Sequence, residues 1–234
     1  MNLPGVVKSA LTPGSIPCFV LCLLLWLFLK YAWPRRRRLA WAWLAATMLV
    51  YFLLALPLVA NAIVARLPAV PQADITPGLP VGTLVVLDGD NRVGRVESAL
   101  RVYRTATVRA VIVLGEDWIR GELDRAGIPP DRLTRVLGPA TTGGQMSWIA
   151  EHAQPRPDGP TVVIASRLQL PRVAALARAR GLTALLIGAP IDDEPPTQGA
   201  MRVIPSYIAL RASRDALYEH AALAYYRWHG WIDR

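Results

Sequence analysis

The stretch Val81–Leu87, VGTLVVL, is a largely apolar run that ends in Asp88-Gly89-Asp90. A run of this kind is typical of a strand buried on both faces of a parallel sheet. Similar runs recur downstream and alternate with segments of helical spacing. Strands are predicted at 81–87, 108–114, 133–137, 161–165 and 182–187, and helices at 93–104, 118–126, 145–152, 170–180 and 205–228. This alternation predicts an α/β fold, a Rossmann-like parallel sheet with helices on both faces.

Two long apolar segments precede this domain and predict a transmembrane hairpin. Each is long enough for the roughly 20 residues that a spanning helix needs, and Pro57 is a candidate kink in the second. Arginines follow the first segment where a signal peptide would carry a small-residue cleavage site, which favours an uncleaved hairpin. The expected order is a hairpin over 1–66 with helices at about 16–33 and 39–64, a proline-rich linker over 67–80, and an α/β domain over 81–234.

The formal net charge of +9 is concentrated in the hairpin. Seven basic residues and no acidic residue precede Asp74, while the rest of the chain has 19 basic and 17 acidic residues. This distribution argues against a nucleic-acid surface and makes the lipid bilayer the expected partner. Arg35–Arg38 separates the two apolar segments and, as a short basic loop, is expected to stay in the cytoplasm. Both termini then face outward, and in the inner membrane of a Gram-negative bacterial cell this orientation would put the α/β domain in the periplasm.

Polar residues and glycines follow several of the predicted strands. In an open α/β sheet the ligand lies beyond the carboxyl ends of the strands, so these residues are candidates for ligand binding. Arg95 and Arg172, each early in a helix, are the expected contacts for a phosphate or carboxylate, with Arg167 as an additional candidate. The predicted ligand-binding residues are Asp88, Gly89, Asp90, Arg95, Gly115, Glu116, Thr142, Ser166, Arg172 and Glu219.

Other chemistries have weaker support in the sequence. Asp88-Gly89-Asp90 is also a favourable turn composition. Ser166 has no Gly-x-Ser-x-Gly context, so a hydrogen-bonding role is favoured over a nucleophilic one. The three histidines lack metal-ligand spacing, and Gly143-Gly144 lacks the lysine of a phosphate-binding loop. The sequence therefore predicts no metal site and leaves the cofactor open.

Several motifs occur in a definite order along the domain. They are Val85-Val86-Leu87-Asp88-Gly89-Asp90 with Arg95, Gly115, Gly127-Ile128-Pro129 with Arg132, Thr142-Gly143-Gly144-Gln145, Ser166-Arg167-Leu168-Gln169-Leu170-Pro171-Arg172, and Glu219 with Tyr226 and Gly230. Their order and spacing resemble the bacterial domain-of-unknown-function family typified by SanA, ElyC and YdcF. The resemblance extends from about Val81 to the C-terminus, and the two-helix anchor is similar to the ElyC branch.

The resemblance implies a factor in cell-envelope biogenesis, in peptidoglycan or surface-polysaccharide metabolism. Its domain would bind or process an anionic precursor such as a lipid-linked sugar phosphate. The chain departs from the family pattern where Gly144 replaces a Glu, Gln145 an Asn and Gln169 a His. The Glu and the His are the best general acid/base candidates of that pattern, so enzymatic activity is left open. The alternatives are a non-catalytic interaction or scaffold protein, and a domain that binds S-adenosylmethionine or a nucleotide.

Overall fold

The computed structural model of the chain describes residues 12–32, 37–89, 91–115, 117–139, 141–153, 159–191 and 194–233. The chain divides into two compact units. The helical unit comprises Met1–Leu67 and Asp193–Ala221, and the sheet unit comprises Pro68–Asp192 and Ala222–Arg234. The boundary between the units on the C-terminal side falls within a single long helix.

Helices and strands alternate along the sheet unit, whereas the described residues of the helical unit form helices and no strands. The helices are α1 (Ile16–Ala32), α2 (Arg37–Leu54), α3 (Pro57–Val64), α4 (Arg92–Thr105), α5 (Asp117–Arg125), α6 (Thr142–His152), α7 (Leu170–Ala179) and α8 (Tyr207–Trp228), with a 3-10 helix at Ala200–Val203. The strands are β1 (Pro80–Val86), β2 (Thr107–Leu114), β3 (Leu133–Val136), β4 (Thr161–Ser166) and β5 (Ala184–Ala189).

Within the described residues, the sheet unit contains one five-stranded parallel sheet with the order β3-β2-β1-β4-β5. The predicted α/β class with a parallel sheet is therefore confirmed. The central strand β1 is buried from Val81 to Val86, which explains its apolar sequence. Its neighbours are β2 on one side and β4 on the other, and the chain reaches β4 only after β2 and β3. The order of strands thus reverses between β1 and β4, which is where open α/β sheets bind ligands.

The core of the sheet unit is aliphatic. Val96, Ala99 and Val102 of α4 lie in the same buried cluster as strand residues such as Leu84 and Val111. This spacing along α4 places one apolar stripe against the sheet.

The expected linker contacts the edge of the sheet. Residues 68–79 form no helix or strand, yet the backbone N–H of Ala73 donates to the carbonyl of Leu186 at 3.0 Å. The side-chain carbonyl of Gln72 accepts from the N–H of Gly188 at 3.1 Å. The stretch therefore satisfies backbone groups that edge strand β5 would otherwise leave exposed.

The helical unit contains two antiparallel apolar helices. The Tyr51 hydroxyl of α2 donates to the carbonyl of Ser15 at 2.8 Å, and the Trp43 indole donates to the carbonyl of Cys22 at 3.0 Å. Among the described residues, α2 is long and apolar enough to cross a membrane by length and composition, while α1, with 17 residues, is shorter.

The helix predicted at about 39–64, with Pro57 as a candidate kink, is not only kinked but divided into α2 and α3. Pro57 occupies the first turn of α3, and Leu56 before it is extended, with φ −77° and ψ 125°. Proline lacks an N–H and its ring disfavours helical geometry at the preceding residue, so it begins a helix but rarely continues one. Arg37 and Arg38, expected in the connecting loop, begin α2, whereas Arg35 and Arg36 lie outside the described residues.

The first part of α8 packs along α3. Ala60 of α3 forms a buried cluster with Ala209 and Ala212 of α8, and small residues of this kind allow helices to approach closely. The Ser213 hydroxyl donates to the carbonyl of Leu54 at 2.8 Å. The His220 ring nitrogen lies 3.1 Å from the carbonyl of Ile63. The two helices therefore run side by side in the same direction.

Candidate functional site

The candidate site lies at the carboxyl ends of β1 and β4. Leu87, Asp88 and Gly89 follow β1, and Ser166 is the last residue of β4. These strands are adjacent, with Val86 opposite Ile164 in the register. The strand-end residues that the sequence singled out on β1 and β4 therefore meet at the point where the strand order reverses.

Arg95 is the buried centre of this site. It lies in the first turn of α4 and is 1% exposed. Its Nη1 atom donates to the carbonyls of Leu87 and Asp88, the latter at 2.8 Å. Nη2 donates to Oε1 of Gln169 at 3.0 Å. The guanidinium therefore donates hydrogen bonds to the backbone carbonyls of the two residues that follow β1. These carbonyls lie beyond the end of the strand, where no neighbouring strand offers them an N–H.

Gly89 covers this guanidinium. Its φ of +133° is a conformation that L side chains rarely adopt, and a Cβ atom at this position would lie 2.9 Å from Arg95 Nη2. Gly89 is itself exposed. The positive charge of Arg95 thus lies directly beneath an exposed backbone segment that has no side chain to cover it.

Gln169 extends the network to a second helix. Its Nε2 donates to the Thr142 hydroxyl at 2.8 Å, and its backbone N–H donates to the carbonyl of Ser166 at 2.9 Å. Gln169 and Thr142 are 7% and 8% exposed. One buried chain of hydrogen bonds therefore joins the starts of α4 and α6 to the turn between β4 and α7. A buried polar network of this kind fixes the relative position of the elements that it joins.

Asp88 lies between the ends of β1 and β2. Its Oδ1 accepts from the N–H of Gly89 at 2.7 Å. Gly115 has φ +110°, and a Cβ atom there would overlap the Asp88 carboxylate. The carbonyl of Gly115 accepts from Arg135 Nε at 2.8 Å, and Nη1 of Arg135 lies 3.2 Å from Oδ1 of Asp117. The glycine at the end of β2 therefore makes room for the carboxylate at the end of β1.

The start of α6 has polar groups directed at its own backbone. The Thr141 hydroxyl accepts from the N–H of Gly144 at 3.2 Å as the helix cap. Gln145, three residues after Thr142, is 4% exposed, and its Oε1 has no hydrogen-bond partner among the described residues. Residues three apart on a helix share a face, so Gln145 lies on the same face of α6 as Thr142. A buried acceptor without a partner is costly and rare in native structures, and a bound water or ligand is one way to satisfy it.

Arg172 is buried rather than exposed to an incoming ligand. It is 5% exposed, and its guanidinium carbon lies 5.9 Å from the ring centre of Tyr226. This distance allows a cation–π contact, in which the buried aromatic ring helps to stabilise the charge of the guanidinium.

The remaining predicted residues are distributed differently. Ser166 is half-buried, whereas Arg167 beside it is exposed. Glu219 is buried on the part of α8 that belongs to the helical unit. Asp90 and Glu116 lie outside the described residues. The structure therefore groups Asp88, Gly89, Arg95, Gly115, Thr142 and Ser166 around the switch point.

Gln169 and Gln145 are absent from the predicted set. Both lie within motifs that the sequence analysis quotes, Gln145 in Thr142-Gly143-Gly144-Gln145 and Gln169 in the stretch from Ser166 to Arg172. Gln169 is an amide between two leucines, just after a predicted strand. A polar side chain in so apolar a context indicates a buried hydrogen-bonding role, and that signal was present in the sequence.

The arrangement is suited to binding a negatively charged group. Helices α4, α5, α6 and α7 each follow a strand of the parallel sheet and so begin at its carboxyl edge, and helix N-termini attract anions. Across the described part of the chain, no three His, Cys, Asp or Glu side chains form a group that could hold a metal ion. Comparison of the chain with protein-family models, with curated proteins and with solved structures found no match.

Proposed function

We propose that this chain is a membrane-anchored factor of bacterial cell-envelope biogenesis, acting in peptidoglycan or surface-polysaccharide metabolism. In this proposal α1 and α2 form a transmembrane hairpin in the inner membrane. The α/β domain lies in the periplasm and binds an anionic precursor, such as a lipid-linked sugar phosphate. The observation that carries the ligand assignment is the buried Arg95 guanidinium beneath exposed Gly89 at the β1/β4 switch point.

The electrostatics of the edge support an anionic ligand. A guanidinium keeps its proton under all physiological conditions, and burial reduces the screening of its charge by water. The charge of Arg95 adds to the partial positive charges at the starts of α4, α6 and α7. Arg167 is exposed directly after β4, and we propose it as the side chain that contacts the ligand at this edge.

The membrane assignment is supported by composition and by the hairpin geometry. The apolar helices α1 and α2 run antiparallel, and the basic residues Arg35–Arg38 lie at their junction. Short basic loops stay on the cytoplasmic side. The similarity of the downstream motifs to the SanA, ElyC and YdcF family agrees with a role at the envelope.

We assign binding rather than proton-transfer catalysis to the centre of the site. The position of the family's His is held by Gln169, whose amide oxygen accepts from Arg95 and whose amide nitrogen donates to Thr142. An amide side chain does not gain or lose a proton near neutral pH, so this position cannot serve as a general acid or base.

The topology is tested with reporters fused after Arg234. An alkaline phosphatase fusion is expected to be active and a green fluorescent protein fusion dark, because the first reporter folds only outside the cytoplasm and the second only inside. The reverse pattern would refute the periplasmic placement. Arg35–Arg38 changed to four glutamines is the matched control, since removing the basic loop should weaken the bias in orientation.

The ligand assignment is tested on the full-length protein in detergent micelles. Titration with a sugar 1-phosphate is expected to give saturable binding, and the same uncharged sugar should not bind. Arg167→Gln should weaken the affinity about tenfold, the loss of one charge-assisted hydrogen bond. The control is Arg178→Gln, an exposed arginine at the far end of α7. Equal affinity for the charged and uncharged sugars would refute the proposal.

A second candidate is a domain that binds a nucleotide or S-adenosylmethionine. The strand order β3-β2-β1-β4-β5 favours it, since this is the order of dinucleotide-binding sheets. In such sheets an acidic residue beyond the second strand holds a ribose hydroxyl, and Glu116 follows β2 in the sequence. Thermal stabilisation by S-adenosylmethionine or adenosine nucleotides, with none by the sugar phosphate, would favour this candidate.

A further inference from the structure

The segment Ala200–Tyr207 is an exposed apolar turn in the helical unit. It contains the 3-10 helix and the first residue of α8. The side chains of Met201, Val203, Ile204 and Tyr207 are 57%, 60%, 49% and 71% exposed. Four large apolar or aromatic residues exposed within seven positions form a patch that a soluble surface rarely presents, and such a patch indicates contact with a partner or a membrane.

The segment is held in place at both ends. On its N-terminal side, the carbonyl of Pro196 accepts from Nδ2 of Asn61 at 3.1 Å. On its C-terminal side, the N–H of Ser206 donates to the carbonyl of Ala55 at 2.8 Å. Ala55 directly follows α2, and Asn61 lies on α3. The exposure of the apolar side chains is therefore imposed by a fixed backbone at the end of the second apolar helix.

The first turns of α8 contact the same end of the hairpin. A Cβ atom at Gly14, just before α1, would lie 3.2 Å from Cβ of Arg214 and 3.5 Å from Cδ1 of Leu210. Leu210 also lines an apolar groove together with Ile16 and Phe52 of the hairpin. The start of α1, the end of α2 and the start of α8 thus lie together. In a spanning hairpin this is the level at which both helices leave the hydrocarbon.

The charge of the segment matches a lipid surface. Arg202 is the one charged residue of Ala200–Tyr207, and its charge is positive. Arg211 and Arg214 of α8 pair instead with Asp215, at 4.0 and 2.6 Å. Apolar side chains combined with arginine and tyrosine are typical of segments that lie in the interface between headgroups and acyl chains. We propose that Ala200–Tyr207 inserts its apolar side chains into the outer interface of the bilayer that holds the hairpin. This inference rests on the membrane anchor of the proposed function.

The experiment uses the full-length protein with Cys18→Ala and Cys22→Ala and a single new cysteine that carries an environment-sensitive fluorophore. Ile204→Cys is the test position, and Val203→Cys repeats the measurement should the first variant misfold. Leu24→Cys, on α1 and 55% exposed, reports on the hairpin. Leu137→Cys, in the sheet unit and 82% exposed, is the reference for exposure to water. Each variant is reconstituted in vesicles of phosphatidylethanolamine and phosphatidylglycerol, with nitroxide quenchers placed either near the headgroup or deep in the acyl chain.

The inference predicts that the label at position 204 shows blue-shifted emission and loses about half of its intensity to the shallow nitroxide, as expected for insertion to the headgroup boundary. The label at position 24 should be quenched by the deep nitroxide and the label at position 137 by neither. Quenching at position 24 without quenching at 204 would overturn the interfacial segment and leave the anchor intact. Absence of quenching at both positions would overturn the anchor and the inference together. Blue-shifted emission at 204 without lipid quenching would mean that protein covers the segment, and would also overturn the inference.

Discussion

Arg95 Nη2 and Gln169 Oε1 are joined by a buried hydrogen bond of 3.0 Å between residues 74 positions apart in the chain. The bond connects the helix that follows β1 to the turn that follows β4. Because those two strands flank the point where the strand order reverses, the pair forms the floor of the candidate site. The Nε2 atom of Gln169 also donates a hydrogen bond to the Thr142 hydroxyl, which links the pair to the start of α6.

Gln169→Leu is expected to destabilise the protein by about 1–3 kcal/mol, because it deprives Arg95 Nη2 and the Thr142 hydroxyl of a buried partner. The free energy of unfolding of the full-length protein in detergent measures the effect. Gln198→Leu, at an exposed position, is the matched control and should be within about 0.5 kcal/mol of the unmodified chain. Equal stability of the two variants would show that the buried hydrogen bonds contribute nothing.

Gly89→Ala is expected to lower stability more than Gly127→Ala. Both glycines have a positive φ, of +133° and +92° respectively, but a Cβ atom at position 127 would meet no atom within 4 Å. Gly127→Ala should therefore cost about 1–2 kcal/mol for its backbone conformation alone. Gly89→Ala should cost about 1–3 kcal/mol more, since displacement of Arg95 leaves buried carbonyls without a donor. Chemical denaturation of the two variants gives the difference, and similar costs would contradict the close contact with Arg95.

Gln145→Leu is expected to leave stability unchanged or to raise it. The change removes a buried oxygen that has no partner among the described residues, and the desolvation cost of that oxygen disappears with it. If the amide serves a ligand, the same variant should bind a sugar 1-phosphate more weakly. Thermal unfolding and ligand titration on one preparation separate the two effects. A large loss of stability would indicate instead that the amide has a structural role.

Ala60→Leu is expected to weaken the contact between α3 and α8. Ala60 is fully buried against Ala209 and Ala212, and extra methylenes in a filled contact cost about 1–3 kcal/mol. Ala62→Leu, at an exposed position on the same helix, adds the same atoms without that contact. Limited proteolysis of the full-length protein in detergent should cleave the first variant faster and leave the second unchanged. Equal rates would argue against close packing at Ala60.

The local elements of the sheet unit were predictable because each has a strong local cause. The predicted strand at 81–87 appears at Pro80–Val86, and the predicted helix at 93–104 appears at Arg92–Thr105. A run of buried aliphatic residues and an apolar stripe of helical period both lie within a few residues of chain. The break at Pro57 follows from the chemistry of one residue, and the sequence indicated it only as a kink. The contact of Gln72 and Ala73 with β5 has no such local signal, since it depends on which strand lies at the edge.

The site was only partly predictable. The rule that ligands bind beyond strand ends led to Asp88, Gly89, Arg95, Gly115, Thr142 and Ser166, and the structure places these residues around the switch point. It gives Arg95 and Arg172 buried positions, whereas both were expected to contact the anion directly. Gln169 gains its role only through two partners that are far away in sequence. Pairwise contacts of this range depend on the order of the strands, which no local pattern encodes.

The sequence by itself determined that Val81–Leu87 is a buried strand of a parallel sheet. A long aliphatic run with no polar face can bury the side chains of both its faces only when helices cover the sheet on both sides. The tertiary structure decided which residues meet at the carboxyl end of that strand. The order β3-β2-β1-β4-β5 places the end of β4 beside the end of β1, and so brings Gln169 within hydrogen-bonding distance of Arg95. An arginine with carbonyl and amide acceptors already in place can remain charged while buried. That is the physical reason why a residue expected at the surface of the site became its floor.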